Sequence, residues 1–355
     1  MQLASAFIIS RIFAEATSFP LQNAEYSMSR FTAIFVAMLI IGVFNIPLAI
    51  FAKLYPGENL ISILLKKSKA LAWIIALYIM LLLFMISSFA LSKLEYYATS
   101  TALGDAPPLL LISVIAAISG YAIWKGAETT VRFATAVAFV FGAFLTVITL
   151  TLSKHFNTDF LYPVLVEDGG LFVQQVVNEL AKDTEYVAFG ILMIYVRQKA
   201  EFTGVGVIFI FIFTEIIVLI ETLSFGSYLT KLNFPLFSAA SLADIVMFQR
   251  LDGFDVVIWI LACIVKVSIY GVCIKTVFLQ LLGDKACKIS IWVFIALAAA
   301  FALILSLSLP LIKTVANPIL VISCTFFGGT LIPLMILILN RKKRKADAAA
   351  GQASA

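Results

Sequence analysis

Apolar residues in this chain run in long blocks rather than alternating with polar ones. Ten blocks recur, at residues 3–21, 31–54, 71–97, 109–124, 133–152, 171–196, 205–228, 256–282, 289–309 and 315–339. An α-helix needs about 20 apolar residues to cross the hydrocarbon core of a bilayer. The pattern therefore predicts an all-α integral membrane protein of ten transmembrane helices. The longest outer connections are 99–108, 153–170 and 229–255. The last holds Phe234-Pro235-Leu236 and a run at 239–247 that reads as a short helix capping the outer face, a candidate lid. Residues 1–345 read as a single membrane domain and 346–355, an Ala/Gly/Ser end, as a disordered cytoplasmic tail.

Polar residues interrupt two of the blocks. From Tyr186 to Val196 only half a span is available at 1.5 Å per residue, and the sixth block reaches full length only by including Asn178, Glu179, Lys182, Asp183, Thr184 and Glu185. Each ionised side chain there costs about 2.5–3.5 kcal/mol against lipid, so the cluster must face protein or water, and the helix is expected to break. Unwound backbone is tolerated at that depth only where it is buried or lines a cavity. A cluster in the outer loop, with the span beginning later, is the competing reading, and it leaves the span too short. The first block repeats the pattern, with Arg11, Glu15, Thr17 and Ser18 ahead of Pro20. Spans one and six open two five-helix halves, 1–152 and 171–340. Because five is odd, the halves have opposite topology: a 5+5 inverted repeat with broken helices 1 and 6, the arrangement that places a substrate site near the bilayer midplane.

Composition agrees: 62% of residues are hydrophobic and 13% charged, against roughly 45–50% and 25% in soluble domains. With the N-terminus inside, the cytoplasmic connections hold Lys53, Lys66, Lys67, Lys69, Lys125, Arg132, Arg197, Lys199, Lys285, Lys288 and the run 341–345. The outer ones hold Arg30, Lys93, Lys154, Lys231, Arg250 and Lys313. The excess of positive charge inside puts both termini in the cytoplasm. The basic tail suits anionic lipid and is no sign of nucleic acid. Ala14 and Ala16 resemble a signal-cleavage site, but no basic segment precedes them and Arg11 interrupts the apolar stretch, so this is read as an uncleaved first span. Four cysteines (Cys263, Cys273, Cys287, Cys324) without a CxxC pair predict neither a disulfide framework nor a metal site. The single histidine, His155, reads as a solvated loop residue. No catalysis and no cofactor are implied.

Several motifs together resemble one family. Tyr55-Pro56-Gly57-Glu58-Asn59-Leu60 is similar to the YPG-x-x-L signature of spore germinant-receptor B subunits. Trp124-Lys125-Gly126-Ala127-Glu128 followed by Arg132-Phe133 resembles their K-G-x-E and R-F/L pattern, and Asp159 to Leu165 with Pro163, then Glu185, resembles the approach to span six. Phe234-Pro235, Phe248-Gln249-Arg250-Leu251-Asp252 and Lys266-Val267-Ser268 resemble further motifs, in the family's order. The resemblance implies the amino acid/polyamine/organocation transporter superfamily and a LeuT-like fold. It also implies a ligand-sensing subunit in the spore inner membrane beside a larger A subunit and a lipoprotein C subunit. One departure is Phe13-Ala14-Glu15-Ala16 where many superfamily members have a glycine-rich break; residues other than glycine resist the backbone of a carboxylate-binding nest.

The candidate ligand site comprises Phe13, Ala14, Glu15, Thr17 and Ser18 of span one, Asn178, Lys182, Asp183, Thr184 and Glu185 of span six, and Ser88 of span three. Arg11 and Glu15, four apart on one helix face, can neutralise each other and still border a cavity. Asp183, Thr184 and Glu185 offer acceptors for a substrate ammonium, and the half-helix beginning near Tyr186 offers free N–H groups to a carboxylate. Lys266, with Ser268, stands where sodium-coupled relatives of the implied fold hold an ion between spans one and eight; its ammonium is expected to pair with Glu15 or with broken-helix carbonyls. The plainer reading is a lysine snorkelling to interfacial water. Glu215 and Glu221 of span seven, six apart and off-face, are candidate relay residues or interhelical hydrogen-bonding groups. The functional expectation is a membrane subunit that senses a small nutrient, an amino acid or similar polar metabolite. The alternatives are a proton- or sodium-coupled amino-acid transporter and a scaffold without a ligand.

Overall fold

A computed structural model describes residues 2–17, 29–162, 169–196, 201–243, 251–307 and 317–340. Within them all regular structure is helical: α1 (Gln2–Ala16), α2 (Ser29–Phe44), α3 (Ile46–Leu54), α4 (Leu60–Leu65), α5 (Lys69–Thr101), α6 (Pro108–Lys125), α7 (Ala127–Leu152), α8 (Gly169–Lys182), α9 (Glu185–Leu192), α10 (Glu201–Phe225), α11 (Pro235–Leu242), α12 (Asp252–Leu282), α13 (Asp284–Ser306) and α14 (Pro318–Phe326), which continues through a π-helical turn (Phe327–Leu331).

Eight helical segments among the described residues are long and apolar enough to cross a membrane: Arg30–Leu54, Lys69–Thr101, Pro108–Lys125, Ala127–His155, Phe209–Leu229, Asp252–Leu282, Ile289–Ser306 and Pro318–Asn340. The protein is an integral membrane protein. The two expected spans outside this set are those that polar residues interrupt. The 15-residue α1 reaches about 22 Å at 1.5 Å per residue, and α8 and α9 divide the sixth span at Asp183–Thr184.

Side-chain burial sorts the helices into a centre and a shell. In α12, 83% of the apolar window is buried, against 33–50% in the other seven, and α12 packs against α1, α5, α6, α7 and α13. Helix α1 is central too, between α7, α10 and α12, and Arg11 in its middle is fully buried. The shell exposes Ile74, Leu77, Phe139, Leu150 and Ile289. So many large apolar side chains would be an aggregation surface in water; in a bilayer they face a solvent as apolar as themselves. Many hydroxyl groups on the spans are satisfied within their own helices, as where Ser87 and Ser88 donate to Leu83 O and Phe84 O and Thr149 to Leu145 O. The four-residue carbonyl is always at hand for Ser and Thr.

The half-helix α9 that follows the break is held at its C-terminal end by the Tyr55-Pro56-Gly57-Glu58-Asn59 turn. Gly57 has φ +77°, which a side chain would oppose. Asn59 caps α4 by accepting from Ser62 N, with the Ser62 hydroxyl accepting from Asn59 N in return. The Asn59 amide also donates to Ile191 O at 3.3 Å, tying the turn to α9. Glu58 bonds Lys66 and Ser62, and Lys66 chiefly holds its carboxyl below the usual range.

On another side α9 meets the π-helical turn, which widens α14 locally. Gly328 packs on Val187, and a methyl group added at Gly329 would fall on the Tyr186 ring. Gly329→Ala is therefore expected to displace α9 or the turn and cost about 1–3 kcal/mol by overpacking, read as a lower melting temperature of the purified protein in detergent.

Three expectations need correction. Helix α1 is unbroken through Arg11–Ala16, and Thr17 N still bonds Phe13 O at 3.2 Å, because the stretch has neither Gly nor Pro and is rich in good helix formers; Ser18 and Pro20 lie outside the described residues. Arg30 and Lys93 sit in helices rather than connections: Arg30 turns inward, and Lys93, half-buried in α5, lies 4.9 Å from the Phe89 ring centroid. The outer-loop helix is Pro235–Leu242 rather than 239–247, since Pro235 supplies a pre-set first turn. It is tucked down by Phe234, whose ring meets that of Tyr97 edge-on at 4.8 Å. Residues 244–250, with Phe248-Gln249-Arg250, lie outside the described residues, as do Pro163, Arg197, Lys199, Lys313 and the chain after 340.

Candidate functional site

Arg11 organises the site. Its planar fork reaches three carboxylates: Nε to Asp183 Oδ1 at 2.8 Å, Nη1 to Glu15 Oε2 at 3.1 Å and Nη2 to Glu179 Oε2 at 3.1 Å. Helical spacing makes this possible. Glu15 is one turn along α1, while Glu179 lies in the last turn of α8 and Asp183 just past its end, so a guanidinium between the helices can span them. Lys182 adds ammonium bonds to Glu15 at 2.7 Å and Glu179 at 2.6 Å. Arg30 of α2 closes the far side, donating to Glu15 Oε1 at 2.7 Å and Glu221 Oε2 at 2.8 Å. The network joins α1, α2, α8 and α10.

A second centre lies just past the break. Glu185 Oε1 accepts from Ser10 Oγ (2.6 Å), Lys266 Nζ (2.8 Å) and the Tyr270 hydroxyl (3.2 Å), and its Oε2 accepts from Thr184 N (2.9 Å). Lys266 also donates to the Ser10 carbonyl at 3.1 Å, and Thr184 Oγ1 lies 2.6 Å from Tyr270 OH. Lys266 has the mid-span partner it requires. That partner is Glu185, with one α1 carbonyl, and not Glu15; its side chain is 5% exposed, so it does not snorkel.

The expected residues divide accordingly. Glu15, Lys182, Asp183, Thr184, Glu185 and Lys266 converge, and the Arg11–Glu15 pairing is present. Ser88 and Thr17 turn away, their hydroxyls bonded to Phe84 O and Phe13 O. Phe13 is buried in the core, Ala14 is half-buried and Asn178 half-exposed on α8. Ser268 faces α6 instead of the Lys266 centre, 3.5 Å from Ser119 O. Glu221 pairs with Arg30, whereas neither oxygen of Glu215 has a hydrogen-bond partner. The amide of Thr184, the residue before α9, is occupied by Glu185's own carboxylate. Ser10, Arg30 and Tyr270 belong to the site and are absent from the sequence-based set.

Among the described side chains of the two centres, one buried oxygen stands out. Asp183 Oδ2 is buried and without a partner, while Oδ1 is held by Arg11. Such an acceptor, fixed in orientation and without a donor, suits an ammonium.

The family model described as "Spore germination protein" matches residues 1–310. The chain belongs to the spore germination protein family. The match covers both ionic centres and every helix through α13 of this family member, and leaves α14 outside. No curated protein matches the chain.

Proposed function

We propose that this spore germination protein is the nutrient-sensing membrane subunit of a germinant receptor, binding an amino acid or similar small metabolite where α1 meets the α8–α9 break. In this reading the chain crosses the spore inner membrane ten times in two inverted, LeuT-like halves, with both termini cytoplasmic, beside a larger A subunit and a lipoprotein C subunit. Membership of the family supports the receptor setting. The pairing of central α1 with the divided sixth span supports a midplane site, since non-helical backbone at that depth is tolerated where it is buried or lines a cavity. Lys266, bonded to Ser10 O and Glu185, supports the view that an ammonium replaces the sodium ion of coupled relatives.

The observation that carries the ligand assignment is the unfilled Asp183 Oδ2. An ammonium there gains a charge-assisted hydrogen bond, and ligand occupancy favours whichever conformer keeps that oxygen accessible. The test is binding of an amino-acid panel to the purified protein in nanodiscs, with uptake measured in proteoliposomes. Asp183→Asn is expected to raise Kd about 10–100-fold, corresponding to the 1.5–3 kcal/mol of a hydrogen bond to a charged group. Glu185→Gln and Thr184→Ala are expected to weaken binding by disturbing the second centre. Binding with unaltered Kd in Asp183→Asn removes the assignment. Saturable uptake driven by an ion gradient moves the reading to a coupled amino-acid transporter, which the mid-membrane carboxylates also favour.

A further inference from the structure

Glu215 stands mid-way along α10, 6% exposed, with neither carboxylate oxygen within hydrogen-bonding distance of any donor. The charges that act on it are Glu179 on α8, Glu15 on α1 and Arg30 on α2. The single cation among these, Arg30, is already bonded to Glu15 and Glu221. Among the described residues, the other elements packed most closely on α10 offer no charge at that level: α11 has none, Asp159 of the short turn Thr158–Leu161 and Tyr228 are exposed, Lys231 lies beyond the helix end, and Glu128 and Arg132 lie in the first turns of α7.

No cation of the neighbouring network is bonded to Glu215, and Lys93 of α5, which acts on Glu15, Lys182 and Lys266, is not among the charges that act on it. Among the described residues, Arg11, Lys182 and Arg30 serve four carboxylates, Glu15, Glu179, Asp183 and Glu221. An ionised Glu215 would add a further negative charge with no donor, which a low-dielectric interior penalises heavily. A metal cation would need several oxygen ligands around the carboxylate, and no group of three metal-ligating side chains occurs among the described residues. A proton needs no ligand shell.

We propose that Glu215 is a proton-binding site of the membrane domain: it is neutral while Arg30 is held between Glu15 and Glu221, and it releases its proton when α2 and α10 shift so that Arg30 reaches it. Proton occupancy is then linked to the arrangement of the outer ends of α1, α2 and α10, and this holds whatever nutrient binds at the break.

The test needs no nutrient. Infrared spectra of the full chain in nanodiscs at neutral pH are expected to contain the carbonyl stretch of a protonated carboxylic acid that shifts in deuterated water. That band is expected to vanish in Glu215→Gln and in Glu215→Met and to persist in Glu221→Gln. Both Glu215 variants are expected to melt no lower than wild type, because a neutral, unbonded acid contributes no ion pair. Absence of the band in wild type, its persistence in the two Glu215 variants, or a lowered melting temperature in both would each overturn the proposal, the last because it is the mark of an ionised, paired carboxylate.

Discussion

Replacing Arg11 by methionine is expected to abolish recovery of folded protein from the membrane. The side chain is fully buried and supplies the bonds that hold Glu15, Glu179 and Asp183 together. Removing one partner of a buried ion pair costs about 3–5 kcal/mol because the other charge is left uncompensated, and here three carboxylates lose a donor at once. Even the lower figure is a large share of the roughly 5–15 kcal/mol that separates folded from unfolded states. Lys182 and Arg30 remain on Glu15, and Lys182 on Glu179, but among the described residues no other cation bonds Asp183. Arg11→Lys keeps the charge and loses the fork, so it is expected to yield folded protein with a clearly lower melting temperature. Size-exclusion profiles and melting curves in detergent check both. A monodisperse Arg11→Met protein melting like wild type would show that the network does not hold the helices together.

The span pattern is the part of this structure that the sequence states most openly. Apolar blocks long enough to cross a bilayer appear as helices, and the density of charge between Asn178 and Glu185 appears as the α8–α9 break. The partners within the site are much less legible. Helices that are apolar on most sides carry no periodic signal of which face turns inward, so rotation about the helix axis, and hence cross-helix pairing, is settled only by packing. Lys266 is recognisable as a buried cation needing a partner, yet the choice of Glu185 over Glu15 depends on how α12 meets α1 and α9. Arg30 stands at the head of an apolar block and reads as a topology signal. It becomes a site residue because α2 packs against α8 and α10.

Hydroxyl residues mislead in both directions. Ser88 and Thr17 look like ligand groups and spend their protons on their own helices, whereas Ser10 looks ordinary and binds Glu185. Tyr270 carries no signal at all, one tyrosine on a long apolar helix, until α12 places it beside Thr184. In α1 the absence of glycine is informative: a stretch such as Phe13-Ala14-Glu15-Ala16 favours helix over a nest, and the helix is continuous there.

The second centre makes a separate prediction, because its charges form a closed pair. Lys266→Met leaves the Glu185 carboxylate with only Ser10, Tyr270 and an amide as donors. It also strips the ammonium from the Ser10 carbonyl, and is expected to cost about 3–5 kcal/mol. Glu185→Gln alone leaves an unpaired buried ammonium and is expected to be comparably damaging. The double variant removes both charges, and replacing a buried pair with neutral groups is often close to neutral. Melting temperatures of the four proteins form a double-mutant cycle, with most of the loss expected to return in the double variant. Additive losses would mean that Lys266 and Glu185 are stabilised independently of each other, and the 2.8 Å bond between them would then be incidental to the joining of α12 to the broken span. Because Glu185 is two residues beyond Asp183, the integrity of the pair also governs whether the unpartnered Asp183 oxygen keeps its orientation. The Lys266→Met variant is therefore expected to lose nutrient binding along with stability, and the double variant to regain stability while binding remains impaired.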